Sequence, residues 1–290
     1  MQYLALERRS HVIASERKPS VSVVVPTVRL DHHLQEAVSS LQEQTLDDLE
    51  IVLVVDGPAS GPTPGQDDPR VRVLRLPRRS GTPTALNVGL SACRAPLFGR
   101  LDADDVAEPH RLAVQTKALA DDSELVGIGS AATVIDDRGA EIGHLRTADG
   151  LAVAPALLRR NPFVHSSMLL RTSAVLAVGG YDPRCNRMQD YDLWLRLAHL
   201  GRLDNLPEPL VRYRVHDAMH SRRTPPWGSA ARTVRSSRRR LAKHLGERPA
   251  TQAWRDLSWT AAQTARHLGL RGPRYLPQQH GSTSPTAGAA

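Results

Sequence analysis

The chain has 290 residues, of which 40% are hydrophobic and 23% are charged, as in ordinary globular proteins. Its formal net charge of +8 is uneven: residues 222–290 carry 13 Lys and Arg against two acidic residues, whereas residues 1–221 carry 25 against 28. No apolar run approaches the roughly eighteen residues of a membrane-spanning helix, which argues against an integral membrane protein.

The N-terminal residues and the two cysteines indicate the cellular compartment of the protein. The first twenty residues contain four Lys and Arg but no apolar core segment, so we expect no signal peptide. Cys93 and Cys185 are far apart and lack metal-site spacing, so we expect reduced thiols. These features predict a cytoplasmic protein, either free or peripheral at the inner face of the membrane through its basic C-terminal part.

Residues 20–120 alternate between strand and helix patterns. Apolar or alternating runs predict strands at 21–27, 50–57, 71–76 and 96–101, of which 71–76 is the more exposed. Helical periodicity covers 31–45, 82–94 and 108–120, and the first two helices have N-cap candidates in Asp31 and Thr82. This order predicts an α/β fold in which a mostly parallel sheet has helices on both faces.

Residues 121–221 show a less regular mixture of patterns. Strands are expected on either side of a turn at 136–139, and again at 165–170 and 208–216. One helix should end at Gly179-Gly180, and another should cover 190–201 with Gly201 as its C′ residue.

The composition changes beyond residue 221. Residues 224–228 resemble a linker, and two helices are expected at 229–246 and 251–269. The first is basic, with a thin apolar stripe at Val234, Leu241 and Leu245. We therefore divide the chain into an N-terminal extension, a body in two halves, a basic helical appendage and a disordered tail: 1–19, 20–120, 121–221, 222–276 and 277–290.

Polar residues follow three of the predicted strands. Thr27 ends the first, Asp56 ends the second, and Asp102 and Asp104 follow the fourth. In open α/β sheets ligands bind beyond the carboxyl ends of the strands, so we expect these residues to line one site. Neither a Gly-x-Gly-x-x-Gly motif after the first strand nor a P-loop motif is present, which disfavours dinucleotide oxidoreductases and P-loop enzymes.

The spacing Asp102-x-Asp104 has two interpretations. Mg²⁺ and Mn²⁺ prefer oxygen ligands, and Mg²⁺ often takes only one or two of them from the protein, with water and phosphates supplying the rest. The pair therefore suits a divalent cation shared with a diphosphate. Taken by themselves, the same residues also fit an exposed acidic turn.

Ordered blocks across residues 20–220 resemble the inverting glycosyltransferases of family 2, which have the Rossmann-like GT-A fold. The blocks are SVVVPTVRLDHHLQEAVSSLQEQTLDDLEIVLVVDG, GTPTALNVGLSACRAPLFGRLDADDVAEPHRLAVQ and the segment from NPFVHSSMLL to VRYRVH. The resemblance implies metal-dependent transfer of a sugar from a nucleotide-diphospho-sugar, with UDP or TDP favoured, to an acceptor hydroxyl. Mn²⁺ or Mg²⁺ is the implied cofactor, and the implied acceptor is a glycan, a lipid-linked molecule or a small molecule in glycan biosynthesis.

The resemblance also implies roles for individual residues. Asp190 is the expected general base, which takes the proton of the acceptor hydroxyl. The expected nucleotide-side residues are Thr27, Asp56, Arg79 and Asp102, and the expected metal ligands are Asp102, Asp104 and His216. Each has a structural alternative, such as a turn Asp at 56, an exposed Arg at 79, an N-cap at 190 and a structural His at 216. Asp105 is expected to cap the next helix, and Asp192 faces away from Asp190.

Three departures from the family pattern affect these expectations. The second strand ends Val-Val-Asp-Gly-Pro instead of Asp-Asp-Gly-Ser, and Thr-Val-Arg follows the first strand where Asn is usual. Both leave the choice of nucleotide open. Gln189 replaces the usual Glu, which removes a charge beside Asp190 but leaves the proposed base in place.

Two other functions remain alternatives. One is a non-catalytic nucleotide-sugar or glycan-binding relative that is anchored by the basic tail. The other is a nucleotidyltransferase, which is disfavoured because no glycine-rich Arg/Lys loop follows the first strand. The tail itself suits anionic lipid or a solvated helix packed on the body, whereas nucleic acid is disfavoured because no base-reading motif accompanies the basic residues.

Overall fold

The computed structural model of the protein describes residues 18–216, 227–270 and 276–277. The strands of these residues are β1 (Val21–Thr27), β2 (Leu49–Asp56), β3 (Val71–Leu76), β4 (Leu97–Arg100), β5 (Val106–Ala107), β6 (Leu125–Ile135), β7 (Glu141–Leu145), β8 (Leu169–Arg171), β9 (Arg202–Arg214) and β10 (Leu276–Pro277). The helices are α1 (His32–Gln42), α2 (Thr82–Ala92), α3 (Arg111–Asp121), α4 (Val153–Leu157), α5 (Thr172–Ala177), α6 (Gln189–Leu197), α7 (Ser229–His244) and α8 (Pro249–His267). Residues 224–226 of the predicted linker and residues 278–290 of the predicted disordered tail lie outside the described residues.

One mixed sheet organises the body. Strands β3, β2, β1 and β4 are adjacent in that order and parallel, so their carboxyl ends meet at one edge. Beyond β4 the pairing is mixed, because β8 is antiparallel to both β4 and β6, whereas β9 runs parallel to β6. The predicted α/β class is confirmed, with continuous parallel order in the first four strands.

Helices cover both faces of the sheet, as the continuous apolar runs of β1 and β2 require. One apolar core lies between the sheet and helices α1 and α3, and it includes Leu34, Leu41, Leu112 and Leu119. The other lies under α2 and α6 and includes Leu86, Leu90, Leu193 and Trp194. Helix α2 approaches β1 closely, since a Cβ atom at Gly89 would lie 2.4 Å from Cγ1 of Val24.

The helix ends predicted from the sequence agree with the structure at one position and differ at another. The N-cap at Asp31 is confirmed, because its Oδ1 accepts a hydrogen bond from the Leu34 N–H at 3.2 Å. The C′ assignment of Gly201 is wrong: α6 ends at Leu197, and a Cβ atom at Gly201 would lie 2.6 Å from Cγ1 of Val126, so the glycine permits a close approach to β6.

Two further predicted segments are shorter than expected. Residues 165–167 form a 3₁₀ turn and only 169–171 form strand β8, because the Ser167 hydroxyl donates to the backbone carbonyl of Val164 and stabilises a turn. Helix α3 begins at Arg111 rather than at 108, because residues 106–107 pair with β9 as the short strand β5.

The C-terminal appendage packs on the body through α7. Val234 and Leu241 of the predicted apolar stripe are buried, whereas Leu245 is 47% exposed. Arg238 is fully buried: it donates two hydrogen bonds to the Leu158 carbonyl, of 3.0 and 2.6 Å, and its guanidinium lies 5.3 Å from the centre of the Trp259 ring. None of the described helices is both long and apolar enough to cross a membrane.

Candidate active site

The edge where β1, β2 and β4 end gathers most of the predicted site residues. Thr27 and Asp56 are the last residues of β1 and β2, and Asp102 and Asp104 follow β4. His216 arrives from the end of β9, with its Nε2 2.9 Å from Oδ2 of Asp104. The structure therefore joins two halves of the chain at one strand edge, where ligands bind in sheets of this type.

The acidic turn after β4 offers a set of hard ligands. Asp102, Asp104 and Asp105 each have a carboxylate oxygen within 4.8 Å of the others. The side chains of Asp102 and Asp104 are 36% and 35% exposed, so both face an open region. Two accessible carboxylates with an adjacent imidazole fit a divalent cation such as Mg²⁺ or Mn²⁺.

Asp105 does not cap α3, so that prediction is wrong. It is buried, and its Oδ1 accepts a hydrogen bond from the backbone N–H of Arg214 at 2.8 Å, while its Oδ2 accepts one from the Ser166 hydroxyl. Burial raises the pKa of Asp105 to about 7, and the neighbouring Asp104 adds to the rise. The residue turns inward because the chain enters β5 at the next position, so it ties the acidic turn to β9.

Arg214 strengthens the same corner through its side chain. Its Nε donates to the backbone carbonyl of Asp104 at 2.8 Å, and its Nη1 donates to the carbonyls of Asp136 and Asp137. Its Nη2 pairs with Glu36 on α1. One buried guanidinium therefore fixes the acidic turn to the β6–β7 turn and to α1.

The sequence reasoning missed a buried cation beneath the acidic turn. Arg100, the last residue of β4, is only 3% exposed; its Nη1 donates to the Ser166 hydroxyl at 3.1 Å and its Nη2 pairs with Asp102. Burial lowers the pKa of Arg100, and nearby acidic groups, Asp190 among them, oppose that shift. The signal was a lone charged residue at the end of an otherwise apolar strand.

Residues 109–115, which have the pattern Pro-x-Arg-Leu-x-x-Gln, support the end of β4 through hydrogen bonds. Nη2 of the buried Arg111 donates to the carbonyls of Arg100 and Met168, at 3.1 and 3.3 Å. Gln115 donates from Nε2 to the Ser167 carbonyl at 2.7 Å. Burial lowers the pKa of Arg111 to about 9. These contacts hold the backbone at the end of β4 and give the family-like segment a positioning role.

Asp56 organises a second corner of the edge. The side chain is buried, and its two oxygens accept the backbone N–H groups of Ser80 and Gly81 at 2.7 and 2.9 Å. Gly57 has φ +96°, and a Cβ atom there would lie 2.8 Å from Cγ of Arg79. Each carboxylate oxygen has a second lone pair, so the predicted contact of Asp56 with a nucleotide base stays a prediction.

The two remaining nucleotide-side candidates differ in exposure. Thr27 is buried, and its hydroxyl is engaged by the backbone of Arg29, which shapes the chain as it leaves β1. Arg79 is exposed and packs its stem on Gly57. Its guanidinium is thus available at the rim of the strand edge.

Asp190 lies in the first turn of α6, half-buried. Its Oδ2 accepts a hydrogen bond of 2.6 Å from Nδ2 of Asn161, a residue the sequence reasoning did not single out. Burial raises the pKa of Asp190, and the backbone N–H of Tyr191, the charge of Arg100 and the Asn161 bond each offset part of the rise. A raised pKa makes the carboxylate a stronger base.

The backbone before Asp190 is unusual. Met188 has φ +60° and ψ +19°, and it is the one non-glycine residue at positive φ among those described. Such left-handed residues are strained and concentrate at functional sites. Met188 sets the entry into α6 and thereby the position of Asp190.

The neighbours of Asp190 have structural roles. Asp192 is buried and accepts hydrogen bonds from Arg196 at 2.8 Å and from the Ser237 hydroxyl at 2.7 Å, in keeping with the expectation that it is not a second catalytic group. His165 bonds the Tyr181 hydroxyl at 3.0 Å, and burial holds its pKa well below the ordinary value, so its ring is neutral.

Sequence comparisons place the chain among sugar-transferring proteins. The profile described as "Glycosyl transferase family 2" matches residues 22–176. The chain is 31% identical over 216 residues to the amylovoran biosynthesis glycosyltransferase AmsE of Erwinia amylovora, an alignment that covers 72% of this chain and 80% of the relative. It is 30% identical over 207 residues to the O-antigen biosynthesis glycosyltransferase WbnJ of Escherichia coli, covering 68% and 80%.

Solved structures with the same fold include TarS of S. aureus. The crystal structure of TarS 1–349 in complex with UDP superposes with a TM-score of 0.55 at 17% identity, covering 86% of this chain and 72% of that one. A longer TarS structure gives a TM-score of 0.58 at 18% identity, and this chain spans 43% of its length. At these identities the likeness confirms the predicted fold.

Proposed function

Because this chain belongs to glycosyltransferase family 2, we propose that it transfers a sugar from a nucleotide-diphospho-sugar to an acceptor hydroxyl with inversion at the anomeric carbon. The protein is a glycosyltransferase with the GT-A fold. One observation carries the mechanistic proposal: Asp190, from the second half of the chain, is oriented by a 2.6 Å hydrogen bond from Asn161. Burial raises its pKa, and the charge of Arg100, which pairs with Asp102 from the first half, offsets part of that rise.

Asp190 is the proposed general base. Its carboxylate accepts the proton of the acceptor hydroxyl as that oxygen forms a bond to the anomeric carbon. The bond between the anomeric carbon and the diphosphate oxygen breaks in the same step, and the nucleoside diphosphate leaves with the bonding electron pair. Asn161 supports the proposal, because its hydrogen bond orients the carboxylate.

Asp102, Asp104 and His216 are the proposed ligands of Mn²⁺ or Mg²⁺. Their support is the open position of two carboxylates and the 2.9 Å contact of His216 with Asp104. When bound, a divalent cation stabilises the negative charge that develops on a departing diphosphate. Fixation of Asp104 through the Arg214 contact to its carbonyl keeps the ligand set in place.

The donor is proposed to be a UDP- or TDP-sugar. Thr27, Asp56 and Arg79 lie at or beside the ends of β1 and β2, where a nucleotide would rest. The structural relative TarS was solved in complex with UDP, which supports a uridine nucleotide for this chain as well.

The acceptor is proposed to be a glycan, a lipid-linked molecule or a small molecule in glycan biosynthesis. The support is that AmsE and WbnJ are named for amylovoran and O-antigen biosynthesis. Peripheral membrane contact is part of this proposal. Val234 and Leu241 of α7 are buried, so the support for this contact comes from the appendage surface. Six of the ten exposed large apolar side chains of the described residues lie there: Trp227, Leu245, Trp254, Leu257, Leu268 and Leu270.

A donor screen tests the proposed function. Each of a panel of UDP- and TDP-sugars is incubated with the protein and Mn²⁺, and release of nucleoside diphosphate is measured with and without candidate acceptors. We expect release with at least one donor, and we expect Asp190→Asn to lower its rate by about 10²–10⁴-fold. The exposed Asp121→Asn is the matched control and should act as the unchanged protein.

A negative donor screen would favour the alternative function. If nucleotides bind, no donor is hydrolysed or transferred, and Asp190→Asn changes nothing, the chain is a non-catalytic nucleotide-sugar-binding member of the family.

A further inference from the structure

Two adjoining cavities form a groove along α7. The first, of about 740 Å³, lies between α7, the segment 178–184 and α6, and the second, of about 490 Å³, continues along α7. They share Arg232, Ser236 and Arg240, so we treat them as one surface, the α7 groove. It adjoins Asp192 rather than Asp190, and these two residues point about 200° apart around α6.

The α7 groove carries a large excess of positive charge. Seven Arg and Lys side chains line it, against Asp182 and Asp192. Both acids are already paired, with Arg184 and Arg196 at 2.8 Å, and Arg239 pairs with Asp256 at 2.7 Å, so four of the seven cations lie outside these ion pairs. A concave surface of one sign concentrates counter-ions of the opposite sign.

The two cations shared by the cavities make only neutral contacts. Arg232 donates to the Trp227 carbonyl at 3.1 Å. Arg240 donates to the hydroxyls of Ser236 and Ser237 at 3.3 and 2.8 Å. Their charge is therefore not offset by an acidic side chain among the described contacts.

One guanidinium in the groove has an unmet hydrogen-bonding group. Arg196 is fixed at two of its nitrogens: Nε donates to Asp192 and Nη1 donates to the Val178 carbonyl at 2.7 Å. Its Nη2 is buried and has no hydrogen-bond partner among the described residues. Buried N–H groups are nearly always satisfied, so this donor is available to an acceptor oxygen of a ligand or of water.

The beginning of α7 adds neutral donors to the same surface. Its N-cap, Gly228, provides no side-chain hydrogen bond to the first turn, and Ser229 lines the groove. Thr233 and Ser236 follow along the helix and also line it. A helix N-terminus attracts anions through its free N–H groups and its dipole.

From these observations we propose that the α7 groove binds the phosphate groups of an anionic ligand, with Arg196, Arg232 and Arg240 as donors. Guanidinium groups match the geometry of phosphate oxygens and bind them with two hydrogen bonds. The cationic row from Arg232 to Lys243 is about 16 Å long, which suits a ligand with more than one phosphate.

Calorimetric titration of the full chain with inorganic pyrophosphate tests the proposal. EDTA is present throughout, so that metal-dependent binding at the acidic turn does not contribute. We expect Arg232→Gln and Arg240→Gln each to raise Kd by about tenfold. Arg248→Gln makes the same charge change at an exposed position outside the groove and should leave Kd unchanged. Equal losses in all three variants would indicate an adventitious ion only and overturn the proposal.

Vesicle sedimentation identifies the source of the phosphate. Vesicles of phosphatidylcholine alone are compared with vesicles that also contain phosphatidylglycerol. Retention on the anionic vesicles that Arg240→Gln abolishes would assign lipid headgroups, whereas loss of pyrophosphate binding alone would assign a phosphorylated molecule in solution. If the unchanged protein binds neither pyrophosphate nor anionic vesicles, the groove is not a phosphate site. This result is independent of whether any sugar donor is turned over.

Discussion

Nδ2 of Asn161 lies 2.6 Å from Oδ2 of Asp190 and donates a hydrogen bond to it. The bond favours the charged carboxylate, so it offsets part of the rise in pKa that burial imposes on Asp190. The pKa of the proposed base therefore depends on the side-chain amide of Asn161, which lies 29 residues earlier in the chain.

Removal of this amide should shift the pH dependence of transfer. Asn161→Ala removes a group that lowers the pKa of Asp190, so that pKa rises and the carboxylate is protonated up to a higher pH. We expect the acidic limb of the kcat/KM profile to move to higher pH, with activity lost first at low pH and recovered as pH increases. A uniform loss at every pH would instead assign Asn161 a purely structural role.

His216 should matter for metal binding. His216→Ala removes the imidazole 2.9 Å from Asp104, and we expect affinity for Mn²⁺, measured by calorimetry in the presence of UDP, to fall by about 10–100-fold. His110→Ala is the control, because His110 makes a similar 3.0 Å contact with Glu208 on the exposed surface. Equal Mn²⁺ affinity in both variants would remove His216 from the metal site.

Substitutions at Asp105 and Asp104 should affect different properties: Asp105→Ala should lower stability, and Asp104→Ala should prevent metal binding. Asp105→Ala leaves the Arg214 N–H unsatisfied in the interior and removes one acceptor of the Ser166 hydroxyl, which should cost roughly 2–4 kcal/mol of unfolding free energy. Asp104→Ala removes a partly exposed side chain and should cost less than about 1 kcal/mol while it abolishes Mn²⁺ binding. Urea unfolding measures the first effect, and equal destabilisation by the two variants would contradict the distinction.

Gly57 should be intolerant of a side chain. In Gly57→Ala the alanine would have to keep the positive φ of the glycine, and its Cβ would lie 2.9 Å from the Arg79 backbone nitrogen. We therefore expect the free energy of unfolding to fall by about 2–4 kcal/mol and nucleotide binding to weaken. Gly179→Ala shares the positive φ but meets no atom within 4 Å, so it should cost only about 1 kcal/mol. Thermal unfolding compares the two, and similar losses would show that the clash with Arg79 is relieved at little cost.

The proposed membrane contact depends on an apolar face of α8. Trp254 and Leu257 are 71% and 66% exposed, and Leu268 extends the same face, while Trp259 is buried on the opposite side. Trp254→Ala with Leu257→Ala should at least halve sedimentation with anionic vesicles. Leu176→Ala, at an exposed position on the body, should not alter it.

The grouping of polar residues at the carboxyl ends of the strands was predictable from the sequence because its signals are local. Continuous β-branched runs identify β1 and β2, and the residues that end parallel strands must meet at one edge. Thr27, Asp56, Asp102 and Asp104 can therefore be grouped from the sequence alone. The family resemblance added Asp190 and His216, whose places in the chain carry no local signal.

The supporting contacts were not predictable, because they join segments far apart in the chain. The pairing of His216 with Asp104 spans 112 residues, and the bond from the Arg214 backbone to Asp105 spans 109. A sequence pattern cannot show that a carboxylate faces inward, so the sequence alone favours a cap role for Asp105. The left-handed backbone of Met188 is imposed by tertiary packing and contradicts its local preference.

The role of Arg214 has a consequence for how the body is assembled during synthesis. The acidic turn emerges from the ribosome more than a hundred residues before the guanidinium that fastens it to α1 and to the β6–β7 turn. We expect a nascent chain stalled near residue 200 to hold a folded β1–β4 unit whose acidic turn is still mobile. Limited proteolysis of such stalled chains should cut near residue 104, and chains stalled beyond the appendage should resist cleavage there.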